Sequence, residues 1–99
     1  MSAMQSRAAR LEAALSRAFS PIQLRVVDDS ARHADHSEAY PGGETHYNVL
    51  IVSAAFRGLS RVARSRAVHE ALAAEFASGM HALSLTLRTP EEASQPAAR

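Results

Sequence analysis

No cysteine occurs among the 99 residues of this chain, so thiol catalysis and any thiolate metal site built from the chain alone are excluded. Lysine is missing too. All eleven cationic side chains are arginine, which reads first as a coding bias, such as that of a GC-rich genome, and only weakly as function. An excess of one charge sign is also lacking: eleven cations against ten acids leave a formal +1, too little to steer a partner through the field of the whole protein. No stretch approaches the roughly 20 apolar residues of a membrane span. Arg7, Arg10 and Glu12 interrupt the N-terminal stretch, which therefore lacks the apolar middle of a signal peptide. A cytoplasmic protein without disulfides and with no membrane partner is the expectation.

What is present suits one globular domain. Hydrophobic residues make up 46% and charged residues 21% of the chain. A chain of this length buries roughly 60–70% of its unfolded surface, which gives a modest core. Residues 3–18 have helical spacing, with Ser2 as cap and Leu11, Leu15 and Ala18 on one face. Ser20-Pro21 ends that helix, because the residue before proline disfavours helical angles. "IQLRVVDDS" reads as a strand. "THYNVLIVS" reads as a second, whose nearly continuous apolar run predicts burial on both faces or a central place.

Gly58 and Ser60 form a turn and a cap before a helix over residues 61–77, with Val68, Leu72 and Phe76 as its apolar stripe. Gly79 lies just past its end. In "HALSLTLRT" the residues Leu83, Leu85 and Leu87 alternate with Ser84, Thr86 and Arg88, which predicts a strand. Thr89-Pro90-Glu91-Glu92 has the cap, first-turn proline and acidic first turn of a short helix. The order is α-β-β-α-β with an optional last helix, an α+β arrangement with helices on one face of a three-stranded sheet.

Between the first two strands lie residues 30–45, far more than a hairpin needs, and connections of that length are usually functional or disordered. Three of the five histidines fall in or beside this segment, His33, His36 and His46. His-x-x-His alone is a weak metal signal, since it lacks the other ligands of a zinc site. His46 opens a strand and is expected to be structural, beside Glu44. His69 lies mid-helix, where packing or exposure is expected. His81 shares the parity of Leu83, Leu85 and Leu87, so periodicity alone makes it a histidine at the core's edge. No nucleophile-elbow pattern surrounds any serine.

The stretches "VVDDS", "GGETHYNVLIVSAAFRGLSRVARSR" and "GMHALSLTL" together resemble the BolA family over about residues 8–90. The resemblance implies a mixed three-stranded sheet packed on helices, like a type II K-homology domain. It leaves residues 1–7 as a flexible N-terminus and 91–99 as a frayed tail. It also implies an adaptor, not an enzyme, that binds a monothiol glutaredoxin and shares a glutathione-ligated [2Fe-2S] cluster, in iron–sulfur cluster trafficking or iron regulation. His81 matches the family's cluster-ligating histidine, and His33 matches the second ligand in the loop, with His36 its nearest substitute. Where family members carry Arg-His-Arg, this chain has Arg64-Ser65-Arg66. Two imidazoles can complete one iron, as in Rieske-type centres, while a partner's thiolates hold the other. Some family members have been described as DNA-binding regulators. Arg57, Arg61, Arg64 and Arg66 are the residues for that rival reading, although "GLSR" is not the Gly-x-x-Gly clamp of a K-homology domain. Whether the chain forms a homodimer is not legible.

Overall fold

The computed structural model describes residues 6–29 and 45–95. Helix α1 (Arg7–Phe19) is followed by β1 (Gln23–Asp28), β2 (His46–Val52), a 3-10 turn (Ala54–Phe56), α2 (Arg61–Ala71), α3 (Ala73–Ala77), β3 (Ala82–Arg88) and α4 (Pro90–Ala93). The sheet has the order β1-β2-β3, antiparallel between β1 and β2 and parallel between β2 and β3. This is the α+β architecture expected, with the parallel pair joined by the α2–α3 crossover.

The register builds one apolar face. Leu24 faces Ile51, which in turn faces Leu87; Val26 faces Val49, which faces Leu85; and Tyr47 faces Leu83. Onto these rows pack Leu11, Leu15 and Phe19 of α1 and Val68 of α2, together with Leu72. Removing this apolar surface from water is the main favourable term, at about 25 cal/mol per Å². The opposite face holds Arg25, Val27, Asn48, Leu50, Ser84 and Thr86, all exposed or half-buried. β2 is therefore central, as its apolar run predicts, but it is not buried on both faces: its side chains alternate, and only Val52 breaks the pattern. A central position in a one-layer sheet covers both edges of a strand and only one of its faces.

Three local details differ from the sequence expectation. Ser6, not Ser2, caps α1, its hydroxyl accepting from the Ala9 amide at 3.1 Å. Phe19, not Ala18, completes the buried stripe, because Ser20 closes the helix in the left-handed region at φ 44°. The helix expected over 61–77 is broken at Leu72. There the Leu72 amide is shared between the carbonyls of Val68 (3.0 Å) and His69 (3.3 Å), a tightening of the kind found at helix ends. The break lets Leu72 stay fully buried while α3 turns toward α1.

Toward α1, Glu75 of α3 receives Arg7 at 2.8 Å and Arg10 at 2.9 Å. Arg7 is itself buried and also donates to the Glu75 carbonyl and the Ser78 hydroxyl, both at 3.0 Å. The hydrogen bond from Arg10 leads the effects that hold the Glu75 carboxyl below the usual carboxylate range.

Candidate functional site

The chain leaves α3 through Gly79, whose φ of 124° is one that other residues rarely adopt. Met80 then enters the core, nearly fully buried, and its amide donates to the Glu75 carbonyl at 3.0 Å. The next residue is His81. Its amide donates to the Thr45 carbonyl at 2.8 Å, and the Ala82 amide donates to the same oxygen at 3.1 Å. The His81 side chain is exposed at the mouth of β3. It has the parity of the core leucines, but it lies before the first residue that the helices cover.

His46 opens β2 and is half-buried. Its Nδ1 lies 2.9 Å from Oγ1 of the buried Thr45. Pairing of His46 with Ala82 puts it one position from His81 on the neighbouring strand. The two ring centres are 5.9 Å apart, with planes inclined at 53°. The sequence reading gave His46 a structural role beside Glu44 and did not connect it with His81. The parallel register brings these two imidazoles together, and a contact between residues so far apart leaves no local trace in the sequence.

The other histidines divide. His33 and His36 lie outside the described residues, as does Glu44. His69 is exposed on α2; its Nδ1 lies 2.9 Å from the Ser65 carbonyl, and its ring stacks on Phe76 with centres 5.2 Å apart. That is a packing role. Among the described residues no three metal-ligating side chains come together.

The arginines lie at the other end of the parallel strands. Arg64 is buried. It donates to the carbonyls of Leu59 (3.0 Å) and Leu87 (3.1 Å), grips Glu92 through both terminal nitrogens, and lies 5.9 Å over the Phe56 ring. Arg57 holds Glu91, with Nε 3.0 Å from its carboxylate. Thr89 and Glu92 form a capping box that starts α4, as the Thr-Pro-Glu-Glu run predicts. The Arg64 hydrogen bond, helped by the Thr89 amide, lowers the Glu92 pKa to about 2. Of the four arginines singled out for nucleic acid, then, two hold α4 in place. Arg61 and Arg66 are exposed. A groove of about 750 Å³ separates the start of α2 from β3, with Arg61 and Arg88 on its walls and Leu59, Leu85 and Leu87 among its lining.

Comparison with known proteins agrees with this geometry. Residues 15–92 match the family described as BolA-like protein. SufE-like protein 1, chloroplastic/mitochondrial, of Arabidopsis thaliana is 43% identical over 94 residues, covering 91% of this chain and 25% of that protein. BolA-like protein 1 of Homo sapiens is 42% identical over 84 residues, covering 85% of this chain and 58% of that protein. The chain thus spans a quarter of the first relative and somewhat over half of the second. The solved BolA domain of SufE1 from Arabidopsis thaliana superposes with a TM-score of 0.80 at 43% identity, covering 91% of this chain and 99% of that one. A one-layer mixed sheet under helices, in a chain whose residues 15–92 match that family, defines a BolA-type domain. The chain belongs to the BolA family.

The described residues do not bring together the ligand set of a self-contained iron–sulfur centre. Imidazole is a ligand for iron, but two imidazoles leave a [2Fe-2S] cluster half-ligated, and the chain has no thiolate to add. No described helix is long and apolar enough to cross a membrane.

Proposed function

We infer that the chain is an adaptor that binds a monothiol glutaredoxin and shares its glutathione-ligated [2Fe-2S] cluster, in iron–sulfur cluster trafficking or iron regulation, and that it is not an enzyme. The observation that carries this reading is the placement of His81: an exposed imidazole on a backbone fixed by Thr45 and by buried Met80, in a chain without cysteine. A rigid ligand that cannot complete a centre calls for a partner that can. His81 and a second imidazole, for which His33 and then His36 are the loop candidates, would take one iron. Glutaredoxin cysteine and glutathione would keep the other. Exchange of thiolate for imidazole raises a cluster's potential, because less negative charge sits on the iron.

The reading is tested by adding the chain to a cluster-loaded monothiol glutaredoxin and following visible absorption and circular dichroism. New bands are expected as nitrogen enters the iron's shell. A mixture whose spectra are the sum of its parts would sink the shared-cluster reading. A DNA-binding regulator stands second. It is supported by Arg61 and Arg66, and weakened by the ion pairs that occupy Arg57 and Arg64.

A further inference from the structure

We propose that the outer edge of β3 is a docking site for an extended, acidic peptide segment of another protein, which adds to the sheet as a further strand. The site is independent of the shared-cluster reading, since it lies toward the end of β3 away from His81.

The backbone carries the first half of the argument. β3 has a neighbouring strand on one side only, because the sheet order is β1-β2-β3. Along a strand the backbone groups of alternate residues point to opposite sides. The Ala82 amide donates to the Thr45 carbonyl, and the Arg88 carbonyl accepts from the Ser53 amide, so the even-numbered residues turn toward β2. Leu83, Leu85 and Leu87 therefore turn their amides and carbonyls outward. The Leu87 carbonyl agrees with that direction, since it accepts from Arg64 at 3.1 Å. Among the described residues nothing takes the outward groups of Leu83 and Leu85. An open edge of this kind is a template for another chain.

The walls beside the edge define that chain. The groove of about 750 Å³ is lined by four consecutive residues of β3, Leu85 to Arg88, and across from them by Leu59, Arg61 and Ser65. Consecutive side chains of a strand lie on opposite faces, so the groove runs along the edge of β3 rather than over one face. Main-chain bonds to such an edge supply affinity, and the apolar lining receives the side chains that face it. Arg61 and Arg88 are exposed, and among the described residues neither is in a salt bridge. The acids nearby are already held, Glu91 by Arg57 and Glu92 by Arg64, and Arg61 adds only the smallest of the effects that lower Glu92. Two uncompensated guanidinium groups at one end of the groove select carboxylate side chains.

Other occupants fit less well. A second copy would offer its own β3, Ala82–Arg88, which has an arginine and no acid. A single-stranded nucleic acid needs aromatic side chains under its bases, and the lining has none.

The test titrates a fluorescent peptide of alternating valine and glutamate, about eight residues long so as to span β3, and follows anisotropy. Amide NMR and hydrogen exchange are recorded on the chain. Saturable binding is expected, with slowed exchange at the Leu83 and Leu85 amides. Replacing both cations, Arg61→Glu with Arg88→Glu, should weaken binding about tenfold or more, as for the loss of two charge-assisted contacts, while amide spectra check the fold. Methylating the peptide's amide nitrogens separates strand addition from attraction of charge alone. Methylation of one alternating set should abolish binding, and methylation of the other set should leave it. Equal effects of the two sets, or exchange at Leu83 and Leu85 that does not slow, overturn the inference. So does a lack of saturation up to about 1 mM peptide. A dimer in sedimentation with those two amides protected in the free chain assigns the edge to a second copy instead. Tighter binding there of a single-stranded DNA of about twelve nucleotides assigns it to nucleic acid.

Discussion

The two ends of the parallel pair β2–β3 use polar side chains in opposite ways. At the end where the strands finish, Ser53, Arg57, Arg64, Thr89, Glu91 and Glu92 bind one another and nearby carbonyls, and their charges are spent inside the molecule. At the end where the strands start, Thr45 binds two backbone amides and one imidazole, and the His81 side chain stands exposed beside them. A dense cluster of charge in the sequence thus marks a structural clasp. Two histidines far apart in the sequence meet at the opposite end.

The sharpest way to break this contrast is to remove a member of the clasp. Arg64→Ala should cost about 2 kcal/mol in urea unfolding, because it strands two carbonyls and empties the space over Phe56. Exposure of Glu92 keeps the figure below that of a fully buried pair. A loss under about 0.5 kcal/mol would mean that the clasp is a surface decoration.

Acid should loosen the same end. The folded Glu92 pKa is about 2, below the roughly 4.3 of an unperturbed glutamate. A depressed carboxylate contributes stability above its unfolded pKa and loses it as pH falls toward the folded value. Stability should therefore decline between about pH 4.5 and pH 2. Glu75, also lowered, adds to that decline. Glu92→Gln should flatten part of the decline and leave the rest to Glu75 and to Glu91, which Arg57 also holds low; a profile identical to wild type would refute the assignment.

The histidine end should respond in the reverse sense. His81→Ala is expected to change folding stability by no more than about 0.5 kcal/mol, as for an exposed residue, while abolishing the spectral change with cluster-loaded glutaredoxin. Binding to the apo-glutaredoxin should persist, since that contact does not need the metal. Substantial unfolding in His81→Ala would erase the contrast between the two ends.

The smallest effect is expected with DNA. Only Arg61 and Arg66 of the four arginines remain outside ion pairs among the described residues, so the log–log dependence of affinity on salt should have a slope no steeper than about −2. Titration of a fluorescent duplex at three salt concentrations measures it. A steeper slope, with preference for one sequence, would promote the regulator reading.

What the sequence discloses follows the range of the interaction. Thr89-Pro90-Glu91-Glu92 is a local signal, and α4 begins there. The alternation of Leu83, Leu85 and Leu87 is equally local, and β3 follows it. The run in β2 discloses a central strand but not that one face of the sheet is left uncovered by the described helices, because coverage depends on where helices distant in sequence come to rest. The break at Leu72 is invisible in an alanine-rich stretch whose apolar spacing continues through it. His81 is legible as a candidate ligand only through family resemblance; its periodicity places it with the core. The approach of His46 to His81 depends on a parallel register, and no spacing within either segment encodes it. His33 and His36 fall outside the described residues, so the loop expectation stands as it was.

Met80 carries a further consequence. Its buried side chain and its bond to Glu75 refer the start of β3 to α3, and Arg7 and Arg10 refer α3 to α1. The position of His81 is thus set by a relay of supports that ends near the chain's other terminus. Slack anywhere along that relay would appear as scatter in the position of the His81 imidazole. In kinetic terms, Arg7→Ala should leave the bound complex chemically the same yet lower the fraction of encounters that find the histidine aligned, so a slower association is its signature rather than a changed spectrum.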